Sequence, residues 1–561
     1  MKNIHIKQKL LLVFCVVGSL LSACSDSTIQ HQQRPATVSN TEHADSSSAV
    51  KNKPNILFIM TDDHAFQAIG AYGSTINKTP NIDRIANEGM RFDRSYVSNS
   101  ICSPSRAVTL TGKLSHLNSV TDNIDVFDNK QVTYPKLLQE NGYQTAVIGK
   151  WHLKSAPTGF DFWQVLPDQG HYYDPEFLTA EGKIKEEGYV TDVITKRSID
   201  YLKNKRDKSK PFMLMYQHKA PHRQWWPDQE ELSALSTKHY PEPESLFDDY
   251  QNRGRAAKEA EMRIGDHMAL SADNKIHPDV LNKAGYSEFM DWYEEAYLER
   301  YNRLSKEQQL AWDKVYWPIN ADFADKKPQG KALTQWKYQR YLQDYIATID
   351  SVDRNIGELL NYLDESGLAE NTLVIYTSDQ GFYLGEHGWF DKRLMYEESF
   401  RTPLIIRWPN HIVPGSNNKN LVQNIDYAPT MLAIAGVDIP KEMQGKSLVP
   451  LLSQQKVQWR DALYYHYYEY PSIHMVKRHY GVRTERYKLI HFYYDIDEWE
   501  LYDLQQDPQE MNNVFSEPAY TKVKQQMQSR LMELRNQYQD SDELTQSMLV
   551  DDLTKMENRR R

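Results

Sequence analysis

The stretch Cys102-Ser-Pro-Ser-Arg-Ala-Val-Thr-Leu-Thr-Gly112 predicts a short helix with a reactive residue at its start. Ser103 is suited to cap this helix, Pro104 to its first position, where a missing N–H costs nothing, and Gly112 to its end. Cys102 then lies at the positive end of the helix dipole, with Arg106 one turn further on. This setting favours negative charge on the side chain at position 102.

Two carboxylates follow the first long apolar segment of the chain. Residues 54–60, Pro-Asn-Ile-Leu-Phe-Ile-Met, predict a buried parallel strand that leads to Asp62 and Asp63. Open α/β sheets place their sites at such strand ends. Adjacent carboxylates repel unless a cation separates them, so the pair predicts a hard divalent ion. A solvated turn is the alternative reading of an Asp-Asp pair taken by itself.

Three further predicted strands end in polar residues in the same way. They cover residues 144–148, 211–216 and 372–377, and a long helix over 341–367 precedes the last one. The side chains that follow these strands are Lys150, His152, His218, Lys219, His222, Arg223, Asp379 and Gln380. A spacing of two places Lys150 and His152 on one face of extended backbone. A polar loop after the last strand adds His387, Lys392 and Arg393.

These motifs resemble those of the formylglycine-dependent sulfatases in the alkaline phosphatase superfamily. The resemblance rests on Cys-Ser-Pro-Ser-Arg at 102–106, Gly-Lys-Trp-His at 149–152 and the strand ends above, and it covers nearly all of the chain from residue 52. It implies an α/β fold, an alkaline-phosphatase-like three-layer sandwich with a large mixed central sheet and a small C-terminal antiparallel sheet. In that family the cysteine is oxidised after synthesis to an aldehyde (3-oxoalanine), whose hydrate is the nucleophile.

The resemblance also implies roles for individual residues. The implied catalytic residues are Cys102, Arg106, Lys150, His152, His222 and Lys392. The implied metal ligands are Asp62, Asp63, the modified Cys102, Asp379 and Gln380, where many relatives have Asn or His in place of Gln380. All-oxygen ligation suits Ca²⁺ better than Zn²⁺, with Mg²⁺ as the alternative. Candidate substrate contacts are His218, Arg223, Trp225, Trp226, His387 and Arg393, and candidates to reach over the pocket are His474, Lys477, Arg478 and His479.

The implied reaction is the hydrolysis of sulfate esters on a sulfated polysaccharide or its oligosaccharides, glycosaminoglycan or algal, from chain ends. Two alternatives stay open: a phosphonate or phosphate monoester hydrolase of the same superfamily, and a lipid-anchored glycan-binding protein without catalysis. A net charge of −10 without a long basic stripe argues against generic nucleic-acid binding. The implied partners are the sulfated saccharide and a formylglycine-generating or sulfatase-maturating enzyme.

The N-terminus predicts export and a lipid anchor. Residues 1–23 combine basic residues with an apolar run, 10–21, that is too short to span a membrane. They end in Leu-Ser-Ala before Cys24, which resembles a bacterial lipobox and implies lipidation of Cys24; ordinary signal cleavage is the alternative. Residues 24–53 predict a disordered tether of roughly 30 Å. Cys15 leaves with the signal, so Cys102 remains as the odd thiol. We expect an exported lipoprotein at the outer membrane, on its periplasmic or cell-surface face.

The rest of the chain divides by composition into two expected parts. Residues 54–452 are expected to form the catalytic domain, with a helical insertion at about 228–336 that is charged and rich in Tyr. Residues 453–561 are expected to form a C-terminal subdomain with strands at 462–468, 480–484, 487–492 and about 500–504. A helix over 519–538 should cover this sheet, and the tail from residue 540 should be peripheral.

Overall fold

The apolar segment after Pro54 forms the centre of the main sheet in the computed structural model, which describes residues 53–235 and 237–560. Its strand, β1 (Asn55–Thr61), is buried along its whole length. It pairs in parallel with a strand at 212–217 on one side and with a strand at 372–378 on the other. Alternate residues of β1 enter two different cores, because successive side chains of a strand point to opposite faces. The predicted buried parallel strand is confirmed.

Ten strands of the described residues form this sheet, in a mixed arrangement. Two further strands, β3 and β12, pair only with each other. The strands after β1 are β2 (Met90–Phe92), β3 (Ser95–Tyr96), β4 (Gln144–Lys150), β5 (Phe162–Leu166), β6 (Glu176–Thr179), β7 (Gly182–Lys185), β8 (Phe212–Gln217), β9 (Thr372–Ser378), β10 (Leu404–Arg407), β11 (Ser416–Asn418) and β12 (Val422–Gln423). The order is β11-β2-β10-β9-β1-β8-β4-β5-β6-β7, and β3 pairs with β12. The centre is parallel, whereas β10, β6 and β7 run antiparallel to their neighbours.

Helices cover both faces of the sheet. The helices are α1 (Pro80–Asn87), α2 (Cys102–Thr111), α3 (Ser115–Asn118), α4 (Tyr134–Glu140), α5 (Val190–Asp200), α6 (Gln229–Leu235), α7 (Arg255–Glu259), α8 (Ile264–His267), α9 (Pro278–Ala284), α10 (Trp292–Arg303), α11 (Lys306–Lys326), α12 (Gly330–Glu365), α13 (Glu397–Phe400), α14 (Tyr427–Ile434), α15 (Val449–Leu452), α16 (Thr521–Gln537) and α17 (Asp542–Arg560). Residues of α1, α5 and α12 share one core with β1, and residues of α2, α4 and α14 share the other. The three-layer α/β sandwich is therefore confirmed.

The region at 228–336 is helical, as its composition predicts. It contains α6 to α11, and no strand lies among its described residues. The helix predicted over 341–367 begins earlier, at Gly330, so its first turns belong to the predicted insertion. The described residues, 53–235 and 237–560, belong to one compact unit, and the boundary near residue 452 stays a prediction.

A second sheet follows near the C-terminus. It consists of β13 (Ala462–Tyr467), β14 (His479–Thr484), β15 (Tyr487–Phe492) and β16 (Glu498–Asp503), which pair antiparallel in chain order. Buried residues of α16 cover it, as predicted. The expectation of a peripheral tail is wrong. The tail forms α17, Asp540 accepts a hydrogen bond from His466 at 2.9 Å, and Asp552 pairs with Arg478 at 2.9 Å.

The predictions for the N-terminus lie outside the described residues. These are the signal over 1–23, the lipidation site Cys24 and all of the tether except Lys53. Within 53–235 and 237–560, no helix is both long and apolar enough to cross a membrane.

Two glycines, Gly142 before β4 and Gly149 near the end of it, offer a test of how tightly the end of this strand is packed. Both need positive φ, Gly142 at 85° and Gly149 at 110°. A Cβ at Gly142 meets nothing within 4 Å, whereas a Cβ at Gly149 would stand 1.8 Å from the Gln217 carbonyl oxygen. We expect Gly142→Ala to lower the free energy of unfolding by about 1 kcal/mol through backbone strain alone. Gly149→Ala should lower it by about 3 kcal/mol or more, because strain and overpacking add.

Urea denaturation followed by circular dichroism measures both values. Equal losses for the two variants would contradict the close approach of β4 and β8 at this point.

Candidate functional site

Three buried carboxylates meet where β1 and β9 end. The two strands run side by side with Thr61 opposite Ser378, so the residues that follow them become neighbours. Oxygen atoms of Asp62, Asp63 and Asp379 all lie within 4.8 Å of one another. The Asp63 backbone N–H also donates to Asp379 Oδ1 at 3.1 Å. The structure thus brings together the aspartates predicted from separate segments.

Each carboxylate faces one predicted cation: Lys150 contacts Asp62, Lys392 contacts Asp63, and Arg106 contacts Asp379. Lys392 Nζ donates to both Asp63 oxygens at 2.7 Å, and Arg106 donates to Asp379 Oδ2 through Nε at 3.1 Å and Nη2 at 2.8 Å. All of these side chains are buried. Pairs in such surroundings need close geometry, because desolvation opposes both charges.

The cations do not fully compensate the three carboxylates. Burial would raise the pKa of Asp62, yet Lys150, His222 and Arg106 hold it well below its usual range. Burial raises the pKa of Asp63 to about 6 despite Lys392, and burial together with Asp62 raises that of Asp379 to about 8. The raised pKa values show that the three carboxylates repel one another when all are ionised. A further cation bound among them would relieve this repulsion.

The donor set fits a hard divalent ion. The Gln380 Oε1 atom is buried without a hydrogen-bond partner, while its amide nitrogen contacts Asp63 Oδ1. A free amide oxygen beside three carboxylates is an all-oxygen set of the kind that Ca²⁺ prefers. The long side chain of Gln380 therefore reaches the place where the predicted ligands meet.

Helix α2 begins at Cys102 itself, and Ile101 occupies the N-cap position without a side-chain hydrogen bond. The prediction of Ser103 as the cap is wrong, because its hydroxyl donates to the His152 carbonyl at 2.6 Å instead. Gly112 ends the helix in the left-handed conformation with φ 62°, as predicted. Tertiary contacts thus replace the local cap at the start of α2.

The Cys102 thiol lies at the centre of the site, with Sγ 3.4 Å from Asp62 Oδ1. Sγ also lies within 4.8 Å of ligand atoms of Asp62 and His222. Burial, with Asp62 beside it, raises the pKa of the thiol. The expectation of favoured negative charge is therefore wrong for the unmodified thiol, because desolvation outweighs the dipole of a short helix. Such a thiol is a poor nucleophile at neutral pH.

Lys150 and His152 face the same space, since the Gln169 amide contacts both: its oxygen accepts from Lys150 Nζ, and its nitrogen lies 3.1 Å from His152 Nε2. His152 Nδ1 lies 3.3 Å from the Ser103 hydroxyl. His152 Nε2 also lies 3.3 Å from Asp168 Oδ1, so this nitrogen has a carboxylate acceptor as well as the Gln169 amide donor beside it, and these contacts suit either neutral tautomer. Burial and Lys150 lower the pKa of His152 to about 4, so the ring is neutral at neutral pH.

His222 approaches the carboxylates from the end of β8. Its Nε2 lies 3.8 Å from Asp63 Oδ2, and its Nδ1 contacts the Arg223 carbonyl. Burial and Lys150 lower its pKa well below the usual range. Arg223 turns away towards the helical insertion, where it donates to both oxygens of Asp273 at 2.8 and 2.7 Å.

Arg393 and His474 close the site from the side of the small sheet. Arg393 pairs with Asp391 at 3.2 Å, and His474 Nε2 lies 3.2 Å from the same carboxylate. His474 also contacts Arg223 Nη1 at 3.2 Å. The other candidates from this region have partners within the C-terminal part: Lys477 pairs with Asp495, Arg478 pairs with Asp552, and His479 contacts the Lys477 carbonyl.

Three candidate substrate contacts are part of the core. His218 is fully buried, with its ring edge-on to Tyr216. Trp225 is fully buried and donates to the Pro221 carbonyl at 2.7 Å. His387 is 1% exposed, contacts Arg253 at 2.9 Å and stacks among aromatic rings, so it supports its own loop. Each of the three therefore has contacts within the core, and the expectation that they touch substrate stays a prediction.

Three residues of the site were missed by sequence reasoning: Gln169, Asp273 and Asp391. Asp391 directly precedes Lys392, so its place in that motif could have indicated it. Gln169 and Asp273 follow no predicted strand and belong to no motif, and the sequence gives no signal for them.

The whole-chain comparisons agree with this geometry. The family profile described as "Sulfatase" matches residues 54–437, and one described as "N-sulphoglucosamine sulphohydrolase, C-terminal" matches residues 385–537. An N-acetylglucosamine-6-O-sulfatase of Bacteroides thetaiotaomicron is 50% identical over 515 residues, which cover 90% of this chain and 91% of that protein. The human N-acetylglucosamine-6-sulfatase is 27% identical over 442 residues, which cover 74% of this chain and 67% of that protein.

Solved structures show the same architecture. A protein in complex with its substrate D-glucosamine-2-N,6-O-disulfate superposes with a TM-score of 0.84 and 51% identity, covering 87% of this chain and 99% of that one. A phosphonate monoester hydrolase of Agrobacterium radiobacter superposes with a TM-score of 0.63 at 20% identity, covering 86% and 96%. The second likeness concerns the fold alone.

The carboxylate cluster predicts a measurable calcium site. We expect Ca²⁺ to bind the chelator-treated protein in isothermal titration calorimetry and to stabilise it by about 2.7 kcal/mol at 100 times the dissociation constant. Asp379→Asn should abolish the binding. Asp168→Asn is the matched control, because that carboxylate contacts His152 and lies outside the cluster. Unchanged Ca²⁺ binding in Asp379→Asn would disprove this site, and tighter binding of Mg²⁺ would overturn the choice of metal.

Proposed function

The chain belongs to the sulfatase family, and we propose that it removes the 6-O-sulfate from N-acetylated or N-sulfated glucosamine at the ends of glycosaminoglycan chains. The observation that carries the proposal is the 50% identity, over nine-tenths of both chains, to an N-acetylglucosamine-6-O-sulfatase. The structure solved with D-glucosamine-2-N,6-O-disulfate supports the same sugar. These relatives favour a glycosaminoglycan over an algal glycan.

The charges of the site suit a sulfate ester. Lys150, Lys392 and Arg106 carry positive charge on three sides of position 102, where they would stabilise sulfate oxygens as charge develops on them. An aldehyde formed at position 102 would supply an oxygen nucleophile, and a calcium ion held by the carboxylates and Gln380 would supply further positive charge. The raised pKa of the unmodified Cys102 thiol supports the need for that modification.

The two histidines are suited to opposite proton transfers. His152 is neutral, so one of its ring nitrogens carries a lone pair that can accept a proton. His222 has its Nδ1 against the Arg223 carbonyl, so its Nε2 could donate to an ester oxygen only while the ring is protonated. We assign His152 as the base. His222 is our candidate donor to the leaving oxygen, a role that requires the bound sulfate ester to raise its pKa, because burial and Lys150 hold that pKa low in this structure.

A chain-end substrate is supported by the closed side of the site. Arg223 from the end of β8 contacts both Asp273 from the insertion and His474 from the C-terminal part there. A pocket blocked on one side admits the end of a chain more readily than its middle. Arg393, which lies beside Asp391 in this wall, is our candidate for the sugar contact.

Export, lipidation at Cys24 and an outer-membrane location are part of the proposal and rest on the sequence of residues 1–53. Modification of Cys102 further implies a maturation enzyme as a transient partner. Catalysis, rather than glycan binding alone, is supported by the completeness of the site, in which nucleophile position, cations and carboxylates are all present.

Peptide mass spectrometry at position 102 tests the modification. Protein made together with a formylglycine-generating enzyme should carry the aldehyde and release sulfate from 6-O-sulfated N-acetylglucosamine. Cys102→Ala should fold with the same circular dichroism spectrum and lose activity by a factor of about 10³ or more, because no covalent nucleophile remains. Full activity of a preparation that contains only unmodified Cys102 would contradict the mechanism.

A pair of esters with one leaving group distinguishes the two hydrolase classes. We expect kcat/KM for an aryl sulfate to exceed that for the matching aryl phosphate at least tenfold, because the cationic groups must match a singly charged ester. Steady-state rates of the matured enzyme at one pH provide the comparison. A preference for the phosphate would favour the phosphonate or phosphate monoester hydrolase.

A further inference from the structure

A second group of cations lies beside the site at position 102. We call that site, around Cys102, Lys150 and His222, the sulfate pocket, and the second group takes no part in the chemistry above. We call it the cation pocket; it is lined by His171, Tyr172, Lys219, Trp226, Arg300 and Arg303, among others. It joins the loop after β5, the end of β8 and helix α10 of the insertion. Its cavity volume is about 310 Å³, but the cavity is so narrow that little of this space can hold a water molecule. A larger group can therefore enter only if a partly exposed side chain such as Arg300 moves.

The cations of this pocket have few carboxylate partners among the described residues. Lys219 is 4% exposed, and its Nζ lies 4.7 Å from the centre of the Tyr172 ring. Among the described residues, no carboxylate oxygen lies within 4.0 Å of Lys219 or Arg303. Arg300 has only Glu299, at 3.6 Å, and that side chain is 57% exposed. Burial, with Lys150 nearby, lowers the pKa of Lys219 to about 7, as expected for a cation without a counter-ion.

Hydrogen-bond donors at the pocket are also unpaired. Trp226 is 2% exposed, and its Nε1 atom is buried without a hydrogen-bond acceptor. The Nε atom of Arg303 is also buried without an acceptor. Buried donors without partners cost stability unless a ligand or water satisfies them. Two free N–H groups together with Lys219 and Arg300 form a donor-rich, positively charged lining. Such a lining is complementary to an anion.

The cation pocket shares a wall with the sulfate pocket. The Gln169 side chain contacts Lys150 and His152, and the next residues along the chain line the cation pocket. The Tyr172 hydroxyl donates to the His222 carbonyl at 2.7 Å, while its ring lies under Lys219. Tyr172 therefore stands between His222 of the first site and Lys219 of the second set of cations.

We propose that Lys219, Arg300 and Arg303 form a second anion subsite, which binds another sulfate or carboxylate group of the glycan whose 6-O-sulfate is cleaved. The proposal rests on the proposed function for the nature of the substrate. The anion is either the N-sulfate of the same glucosamine or the carboxylate of the neighbouring sugar. The subsite acts in substrate selection and leaves the bond-breaking step to the residues around position 102.

The test compares kcat/KM for three substrates: 6-O-sulfated N-acetylglucosamine, 2-N,6-O-disulfated glucosamine, and a disaccharide that joins the first sugar to a uronic acid. We expect the wild type to prefer one doubly anionic substrate at least tenfold over the first sugar. Lys219→Met and Arg303→Met should each lower that ratio about tenfold, the value of one hydrogen bond to a charged group. Arg303→Lys should restore part of it. The substrate whose ratio falls identifies the anion.

Lys314→Met is the charge-matched control, because Lys314 is an exposed residue of the same insertion. It should leave the ratios unchanged. A structural role for Lys219 or Arg303 would lower the rates on all three substrates together and leave the ratios intact, and this result would overturn the subsite. Equal kcat/KM of the wild type for all three substrates would overturn it as well.

Binding to Cys102→Ala separates this proposal from the proposed function. In that protein, isothermal titration calorimetry should show tighter binding of the doubly anionic sugar, and Arg303→Met should remove the difference. If the matured enzyme released no sulfate while this selective binding persisted, the proposed function would fail and the subsite would stand. Sulfate release by the matured enzyme without any selective binding would support the proposed function and overturn the subsite.

Discussion

The site depends on three buried carboxylates held against three cations from separate parts of the chain. Asp62, Asp63 and Asp379 become neighbours only because β1 and β9 run in register. Their partners come from the end of β4, from α2 and from the loop after β9. A buried carboxylate left without its partner costs several kcal/mol, so the charges fix the relative positions of these elements. Loss of one cation would therefore disturb the site as a whole.

The sequence predicts most of the sheet because its central strands obey a simple physical rule. A parallel strand covered on both faces is continuously apolar and turns polar where it ends. This rule identifies β1, β4, β8 and β9 and with them the aspartates, Lys150 and His222. It cannot predict pairing between segments more than 300 residues apart. The contact of Asp63 with Asp379 became visible only in the structure.

The wrong predictions share one cause, which is burial decided by distant residues. Ser103 has the chemistry of a cap, but the His152 carbonyl takes its proton. Cys102 has the position of an activated thiol, but full burial raises its pKa. Burial also affects His218: it stands close to His222 in the sequence, yet its ring packs against Tyr216. Residue types that serve in catalysis serve equally in a core, and only the fold distinguishes the two uses.

The helical insertion changes the electrostatics next to the site in two opposite ways. It brings Asp273 to Arg223 and so neutralises the cation that the sequence offered as a substrate contact. It also brings Arg300 and Arg303 to Lys219, and among the described residues only Arg300 of these three has a carboxylate within 4.0 Å, that of the exposed Glu299. Because the whole chain carries a net charge of −10, attraction of an anionic glycan must come from such local imbalance. The insertion therefore adds positive charge beside Lys219 and neutralises the charge of Arg223. On this argument, selection among sulfated sugars depends on a segment that contributes nothing to the bond-breaking residues.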